Sequence, residues 1–230
     1  TGDEEFYGIA MDVAVNDRLT VTAGVDRYEN AVGVTKTDGT LQFEYAANDQ
    51  FTYALGVEMQ DNTGGTDPGS RTDVAAQITY APNDASSVYV FGQATVARER
   101  LPQNDRYGIG GTYETANGWT FGARVSDGSL GVGGRITASN DDGAGNTRYI
   151  GYEIEPGRDF DGIALRGRDH GRVVVGGTQS VNSSVDVFGE NTYDMFGRHR
   201  SLTSAYGVTY APNDALSFTS AVEIGRVQDG

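Results

Sequence analysis

Hydrophobic and polar residues alternate with a period of two along most of the chain. In one such segment, a single face would carry Phe51, Tyr53, Leu55, Val57 and Met59. The opposite face would carry threonine, alanine, glycine and glutamate. This alternation is typical of a β-strand with one apolar and one polar face. No segment shows convincing helical periodicity, so the sequence predicts an all-β fold.

A short turn phrase recurs between the alternating segments. Residues 79–85 read TYAPNDA, and residues 209–215 repeat the phrase word for word. Asparagine and aspartate bond their own backbone, and proline presets the first turn position, so the phrase indicates a hairpin turn. The pattern predicts about fourteen strands in seven hairpins, at residues 6–27, 41–60, 73–98, 106–127, 130–156, 172–194 and 202–227. Longer polar loops are predicted between the hairpins, at residues 28–40, 61–72, 99–105, 157–171 and 195–201.

The side chains on the polar face of the predicted strands are unusually small. Glycine, alanine, serine and threonine dominate it, and the chain contains one lysine, Lys36. A soluble sheet would present more charge to water on that face. A transmembrane barrel instead turns its apolar side chains to lipid and its polar ones to the lumen. We therefore expect an antiparallel transmembrane β-barrel of fourteen or more meander strands, with short turns on one side and long loops on the other.

Aromatic residues recur at a fixed place relative to the short turns. Those that fall just before or just after a turn are Tyr45, Phe51, Tyr80, Tyr113, Trp119 and Tyr210. In a barrel these residues would lie at one height, near the end that carries the short turns. An interfacial aromatic girdle lies at that height. The alternative is that tyrosine is simply a good strand residue that covers a core.

The repeated strand–turn–strand units, with phrases such as TYAPND followed by Ala-Leu-Ser-Phe, resemble Gram-negative outer-membrane β-barrel proteins. The resemblance covers nearly the whole chain, and residues 171–230 are similar to the barrel part of large surface proteins. It implies short turns toward the periplasm and long loops outside. Family barrels end on an aromatic residue, whereas Gly230 is not aromatic. We therefore expect residues 1–230 to be a single barrel domain within a longer chain, and fourteen strands to be a minimum.

Composition excludes several other classes. The chain has no cysteine, two histidines (His170 and His199) and a net charge of −15. Disulfide frameworks, thiolate metal sites and cysteine nucleophiles are therefore excluded. The acidic balance disfavours nucleic acid as a partner. We expect no enzyme, no cofactor and no metal site, because the residues offer no catalytic or metal-ligating constellation.

Ionisable residues on the polar face are candidates for lining a lumen. They are Asp26, Glu44, Glu58, Glu114, Arg124, Arg135, Glu153, Glu190 and Glu223. Seven are acidic and two are basic, so an open pore would prefer cations mildly. The alternative is that opposite charges pair inside a narrow or plugged barrel that conducts nothing.

Arginines are also concentrated near the predicted loops of the last third of the chain. They are Arg158, Arg166, Arg168, Arg172, Arg198 and Arg200. Guanidinium groups bind phosphate and carboxylate, so one interpretation is contact with lipopolysaccharide phosphates or an acidic ligand. The other interpretation is pairing with acidic loop residues such as Asp159, Asp161 and Asp169.

The expected function is that of an integral outer-membrane barrel in a Gram-negative bacterium. It would act as an envelope anchor or as a porin-like passive channel for ions and small solutes. The expected partners are membrane lipid, lipopolysaccharide, and other envelope proteins or further domains of the same chain. The alternative is a secreted or surface β-rich adhesin without a pore, whose polar face meets water.

Overall fold

The structure is a computed structural model of the 230-residue chain. It describes residues 5–29, 33–64, 68–155, 159–160, 163–164, 171–194, 199–213 and 216–229. None of the described residues forms a helix that is long and apolar enough to cross a membrane.

The described residues form antiparallel strands joined in sequence order. The bounds are β1 Glu5–Asn16, β2 Leu19–Glu29, β3 Thr35–Ala46, β4 Phe51–Thr63, β5 Gly69–Asn83, β6 Ser86–Glu99, β7 Arg106–Glu114, β8 Trp119–Gly128, β9 Gly133–Asp141, β10 Thr147–Ile154, β11 Asp159–Phe160, β12 Ile163–Ala164, β13 Gly171–Asn182, β14 Val185–Asp194, β15 His199–Asn213 and β16 Leu216–Asp229. Fourteen of them form one sheet in which each strand pairs with its neighbour along the chain, from β1 to β16, while β11 and β12 pair separately. The predicted all-β, fourteen-stranded antiparallel meander is confirmed.

Three of the five predicted connections between hairpins are shorter than predicted. Strand β3 begins at Thr35 and β5 at Gly69, so parts of the predicted loops 28–40 and 61–72 are strand. Strand β15 begins at His199, within the predicted loop 195–201. The prediction followed apolar alternation, which ends before the strands do. Backbone hydrogen bonds continue between polar residues, as in the pairing of Glu29 with Thr35.

The chain divides into two compact units, and each is described by itself. Unit 1 contains residues 1–110, 126–132 and 159–164. Unit 2 contains residues 111–125, 133–158 and 165–230.

In unit 1 the apolar face of the strands is exposed. On β4, the exposed fractions are 43% for Tyr53, 61% for Leu55 and 59% for Met59. Thr52 and Glu58, on the other face of β4, are only half-exposed. Leu101 is the one buried hydrophobic residue in the described part of the chain. These strands therefore turn their apolar side chains away from the protein rather than into a core.

Unit 2 repeats this arrangement. Large apolar side chains such as Phe121, Ile136, Ile150 and Val222 are exposed. The opposite face holds two aromatic rings, each lying beside a glycine on the neighbouring strand. A Cβ at Gly176 would collide with the Tyr149 ring, and one at Gly207 would collide with the Phe188 ring. Glycine at these two positions therefore leaves the space that the aromatic rings fill.

Asparagine side chains organise the short turns. The Asn48 Oδ1 atom accepts hydrogen bonds from the backbone N–H groups of Gln50 and Phe51, both at 2.9 Å. Asn16, Asn83 and Asn182 bind the backbone of their own turns in the same way. The turn chemistry inferred from the sequence is therefore present in the structure.

We expect Asn48→Ala to lower the free energy of unfolding by about 1 kcal/mol, because two backbone donors lose their acceptor. The measurement is the urea midpoint of the folded protein. Gln50→Ala in the same turn is the matched control, since only the Gln50 backbone N–H takes part in the hydrogen bond to Asn48. Equal midpoints for the two variants would contradict the role given to Asn48.

The turn between β9 and β10 is built around Asp142. Its Oδ1 atom accepts from the backbone N–H groups of Ala144 and Asn146, at 2.8 and 3.1 Å. The Asn146 side-chain amide donates to Oδ2 at 2.6 Å. These hydrogen bonds hold the pKa of Asp142 below its ordinary value, and the bond from the Asn146 side-chain amide has the largest effect. The ionised carboxylate thus closes this turn.

Candidate functional site

Acidic residues lie opposite each other on neighbouring strands on the polar face of unit 1. Asp26 lies opposite Asp38 in the β2–β3 ladder, and Glu58 lies opposite Asp73 in the β4–β5 ladder. Like charges directly opposite each other destabilise a sheet unless other groups compensate them. Lys36 compensates Asp38, with its Nζ atom 3.0 Å from Oδ2.

The Asp73 carboxylate is compensated inside the protein. Its side chain is 2% exposed, and its Oδ2 atom lies 2.8 Å from the Arg71 Nε atom. Gln93 and Asn104 donate to the same oxygen at 3.3 and 3.4 Å, and the Thr95 hydroxyl donates to Oδ1 at 2.7 Å. A buried charge of this kind is tolerated only when it is paired and hydrogen-bonded. Both carboxylate oxygens meet that condition here.

The segment between β6 and β7, residues 100–105, folds against this carboxylate. The Pro102 carbonyl accepts from the Arg71 guanidinium at 3.2 Å. The Asn104 N–H donates to the Thr95 hydroxyl oxygen, and the Thr95 N–H donates to the Asp105 carboxylate, both at 2.8 Å. Together with the buried Leu101 side chain, these bonds hold the segment to the polar face of β5 and β6. We call residues 71, 73, 93, 95 and 100–105 the Asp73 clamp.

The polar face of unit 2 carries both arginines and glutamates. Glu153 of β10 lies opposite Arg135 of β9 on one side and opposite Arg172 of β13 on the other. Arg172 donates to the Glu153 Oε2 atom through Nε at 3.2 Å and Nη2 at 2.9 Å. The Arg124 Nη2 atom lies 3.8 Å from the Glu153 Oε1 atom. We call Arg124, Arg135 and Arg172 the arginine cluster.

A second polar contact in unit 2 joins β10 to β14. The Tyr149 hydroxyl donates to the Glu190 Oε2 atom at 2.6 Å. Their strands are both neighbours of β13, and Gly176 of β13 is paired with each of the two residues. The absence of a side chain at Gly176 lets tyrosine and glutamate meet across the intervening strand.

The residues predicted to line a lumen differ in exposure. Glu58, Arg124, Glu153 and Glu190 are half-buried. Those with exposed side chains are Asp26, Glu44, Glu114 and Arg135. Glu223 pairs with Ala205 in the β15–β16 ladder, and its side chain lies outside the described part. The lumen assignment stays a prediction.

Most of the predicted phosphate-binding arginines lie outside the described residues, namely Arg158, Arg166, Arg168 and Arg198. Arg200 pairs with Gln228 through the backbone, and its side chain is not described. Arg172 is held by Glu153, and its Nη2 atom also lies 3.7 Å from the Glu155 carboxylate. Among the described residues, the acidic partners of Arg172 are therefore Glu153 and Glu155. The loop residues Asp161 and Asp169 lie outside the described residues and the side chain of Asp159 is not described, so pairing with them stays a prediction.

The predicted girdle residues Tyr45, Tyr80, Tyr113, Trp119 and Tyr210 have exposed side chains, and Phe51 is half-exposed. In unit 1, the Phe51 and Tyr80 rings pack with their centroids 4.9 Å apart. In unit 2, Trp119 stacks on Phe121 at 6.2 Å, and Tyr210 lies opposite Phe218. The girdle itself stays a prediction, since it concerns a lipid boundary.

The Asp73 clamp was missed from the sequence. Arg71 and Asp73 are two residues apart, the spacing that puts two strand residues on one face. Arg71 fell inside the predicted loop 61–72, so this signal was lost. The contribution of residues 100–105 has no local sequence signal, because these residues follow Asp73 by about thirty positions.

No group of three or more His, Cys, Asp or Glu side chains within the described ranges could hold a metal ion. No protein-family model matches the chain, and no curated protein matches it. Among solved structures, the chain is similar to a mutant of the Rh. blastica porin. The two are 10% identical, and the match covers 98% of this chain and 90% of the porin with a TM-score of 0.43. A similarity at this level does not identify the chain.

Proposed function

We propose that the chain is an integral β-barrel of a Gram-negative outer membrane that acts as an envelope anchor or as a porin-like passive channel. The observation that carries the proposal is the inverted sheet: apolar side chains are exposed, and small or polar ones occupy the less exposed face. In water, exposed apolar patches larger than a few hundred Å² are rare on monomeric proteins. In lipid, the same face is solvated by acyl chains.

The dimensions of the strands fit the proposal. Strands β4, β5 and β6 contain 13, 15 and 14 residues. At about 3.3 Å per residue, strands of this length cross the ~25 Å apolar band of an outer membrane even when they are tilted. The proposal requires the outer edges of β1 and β16 each to pair with a strand, because an unpaired strand edge in lipid would leave backbone donors and acceptors without partners.

The channel form of the proposal is supported by ionisable groups on the polar face. The acidic pairs of unit 1 and the arginine cluster of unit 2 would bias the passage of ions through an open lumen. In the anchor form, these groups pair with one another and the barrel only fixes attached domains to the envelope. Membrane lipid and lipopolysaccharide are the proposed partners in both forms, and neither form includes a catalytic step.

Detergent dependence tests the membrane assignment. We expect the purified chain to be monodisperse in detergent and to aggregate when detergent is removed. We also expect faster gel migration without boiling than after boiling, because a closed barrel remains compact in SDS. A monodisperse protein in buffer alone would contradict the proposal and would favour the adhesin alternative. For a protein that requires detergent, conductance steps in a planar bilayer would support the channel form, and their absence would support the anchor form.

A further inference from the structure

A groove of about 760 Å³ crosses the apolar face of unit 2. One wall is a row of residues that pair with one another across five strands, namely Arg148, Gly177, Gly189, Tyr206 and Val222. The other wall is the next row on the same face, namely Gln179, Val187, Val208 and Ser220. Residues between the two rows point to the opposite face, so their backbone forms the floor. The two glycines leave the first wall low between Arg148 and Tyr206.

The groove runs from the short-turn edge of the sheet toward its middle. Arg148 is the second residue of β10, close to the turn at residues 142–146, whereas Val222 is the seventh residue of β16. Strands of a barrel are staggered and tilted by about 40°, so a row of paired residues would descend obliquely through the membrane. Four strand spacings of about 4.8 Å make this row ~19 Å long. In the proposed barrel, one end of the groove therefore lies at the membrane boundary and the other lies within the apolar band.

The two ends of the groove differ in chemistry. At the edge, Arg148 and Gln179 have exposed polar side chains. Arg148 forms no hydrogen bond or ion pair with any residue that the structure describes, and the Asp142 carboxylate of the adjacent turn is bound within that turn. Apart from Ser220, the deeper walls are apolar and consist of Val187, Tyr206, Val208 and Val222. The groove is thus cationic at its edge and apolar along the rest of its length.

We propose that this groove binds one anionic phospholipid, with the lipid phosphate on Arg148 and an acyl chain along the apolar walls. A guanidinium group offers parallel donors that match two phosphate oxygens, and no described residue occupies those of Arg148. On the lipid face of a barrel, an arginine is strongly disfavoured at mid-depth but tolerated near the boundary, where it reaches the headgroups. Because the charge of Arg148 is not balanced by an ion pair, it favours an anionic headgroup over a zwitterionic one.

The inference rests on the proposed function, because only a chain that spans a membrane turns this face to lipid. It then names the lipid class and the residues that recognise it. A free phosphate ion would contact only the polar edge of the groove, whereas a phospholipid also buries an acyl chain along the apolar walls. The occupant is therefore a phospholipid of the leaflet at the short-turn side. Lipopolysaccharide carries the same phosphate chemistry and is tested as a competing ligand.

Native mass spectrometry of the folded, detergent-solubilised chain tests the proposal. The probes are anionic phosphatidylglycerol and zwitterionic phosphatidylcholine with the same acyl chains. We expect saturable retention of a first phosphatidylglycerol and about tenfold weaker retention of phosphatidylcholine. In Arg148→Gln this preference should disappear. Arg18→Gln is the matched control, because Arg18 is exposed in the turn between β1 and β2 and its removal changes the net charge equally. This control should leave the preference within twofold of wild type.

A second pair of variants tests the apolar part of the groove. Val187 is half-buried in the wall, so Val187→Phe would fill the groove without changing the charge. We expect several-fold weaker retention of phosphatidylglycerol. Val125→Phe is the matched control, because Val125 is exposed on the apolar face of β8 outside the groove. Arg148→Lys, which keeps the charge but loses the planar donors, should fall between wild type and Arg148→Gln. Circular dichroism and gel mobility confirm that each variant is folded.

Equal retention of the two phospholipids by the folded wild type would overturn the proposal, and so would an unchanged preference in Arg148→Gln. Stronger retention of lipopolysaccharide than of phosphatidylglycerol would overturn the phospholipid as the occupant. Unchanged retention in Val187→Phe would overturn the groove as the place of the acyl chain. All of these results concern a chain that requires detergent. Failure of the proposed function would instead appear as a wild-type chain that is monodisperse without detergent, before any lipid is added.

Discussion

Leu55→Arg should lower the free energy of unfolding from a bilayer by about 2–4 kcal/mol, the usual effect of an arginine on the lipid face of a barrel near mid-depth. Leu55 lies in the middle of β4 with 61% of its side chain exposed. In water, a substitution at so exposed a site would change stability by no more than about 0.5 kcal/mol. The measurement is reversible urea unfolding in lipid vesicles, followed by tryptophan fluorescence of Trp119.

Gln77→Arg is the matched control for this experiment. Gln77 lies on β5 opposite Ala54, one residue along the ladder from Leu55, and its side chain is on the less exposed face. We expect a far smaller loss of stability for Gln77→Arg, because a lumen would hydrate the new guanidinium. If both variants lost the same free energy, or neither did, the apolar face would not be the lipid face.

Asp73→Ala should be the most destabilising single substitution on the polar face, with a loss of about 3–5 kcal/mol. The Arg71 side chain, which is 9% exposed in the structure, would lose its counter-charge. Asn104, Gln93 and Thr95 would lose their shared acceptor at the same time. Urea unfolding measures the loss, and hydrogen exchange should show residues 100–105 exchanging faster.

Two further variants show how much of this loss of stability comes from breaking the Arg71–Asp73 charge pair and how much comes from removing an aspartate side chain. Asp84→Ala, in the exposed turn between β5 and β6, is the control and should change stability by no more than about 0.5 kcal/mol. The double variant Arg71→Met with Asp73→Leu should recover much of the lost stability, because an apolar pair avoids burying charge. Failure of the double variant to improve on Asp73→Ala would mean that the hydrogen bonds to Asn104, Gln93 and Thr95, rather than the charge pair, hold the Asp73 clamp together.

Local sequence was sufficient for much of the fold. The alternation in β4 and the Asn48 turn each depend on residues that are close together in the chain, so period and turn chemistry identify them. Strand ends were harder to predict. The ladder continues through polar residues such as Lys36 and Asp38, whose backbone groups pair regardless of the side chain. Three of the connections between hairpins were therefore predicted to be longer than they are.

The polar clusters were only partly predictable. Strand alternation places Arg124, Arg135 and Glu153 on the polar face, as the sequence predicted. It does not say which of them are neighbours, and Arg172 was grouped with the loop arginines. Registry across β9, β10 and β13 puts Arg172 beside Glu153 instead. The sequence likewise gave no indication that Asn104 would reach Asp73.

The sequence by itself determined which face of each strand is apolar, where the hairpins turn and in what order they follow. Tertiary structure alone decided which charges meet. The β5–β6 ladder shows the reason: it shifts by one residue between Thr72 and Asp73, which places Asp73 opposite Thr95 while Thr72 faces Ala97. Because side chains alternate with a period of two, such a shift changes every partner beyond it. Long-range register, which no short segment encodes, therefore brought Asp73 to residues 100–105 and Arg172 to Glu153.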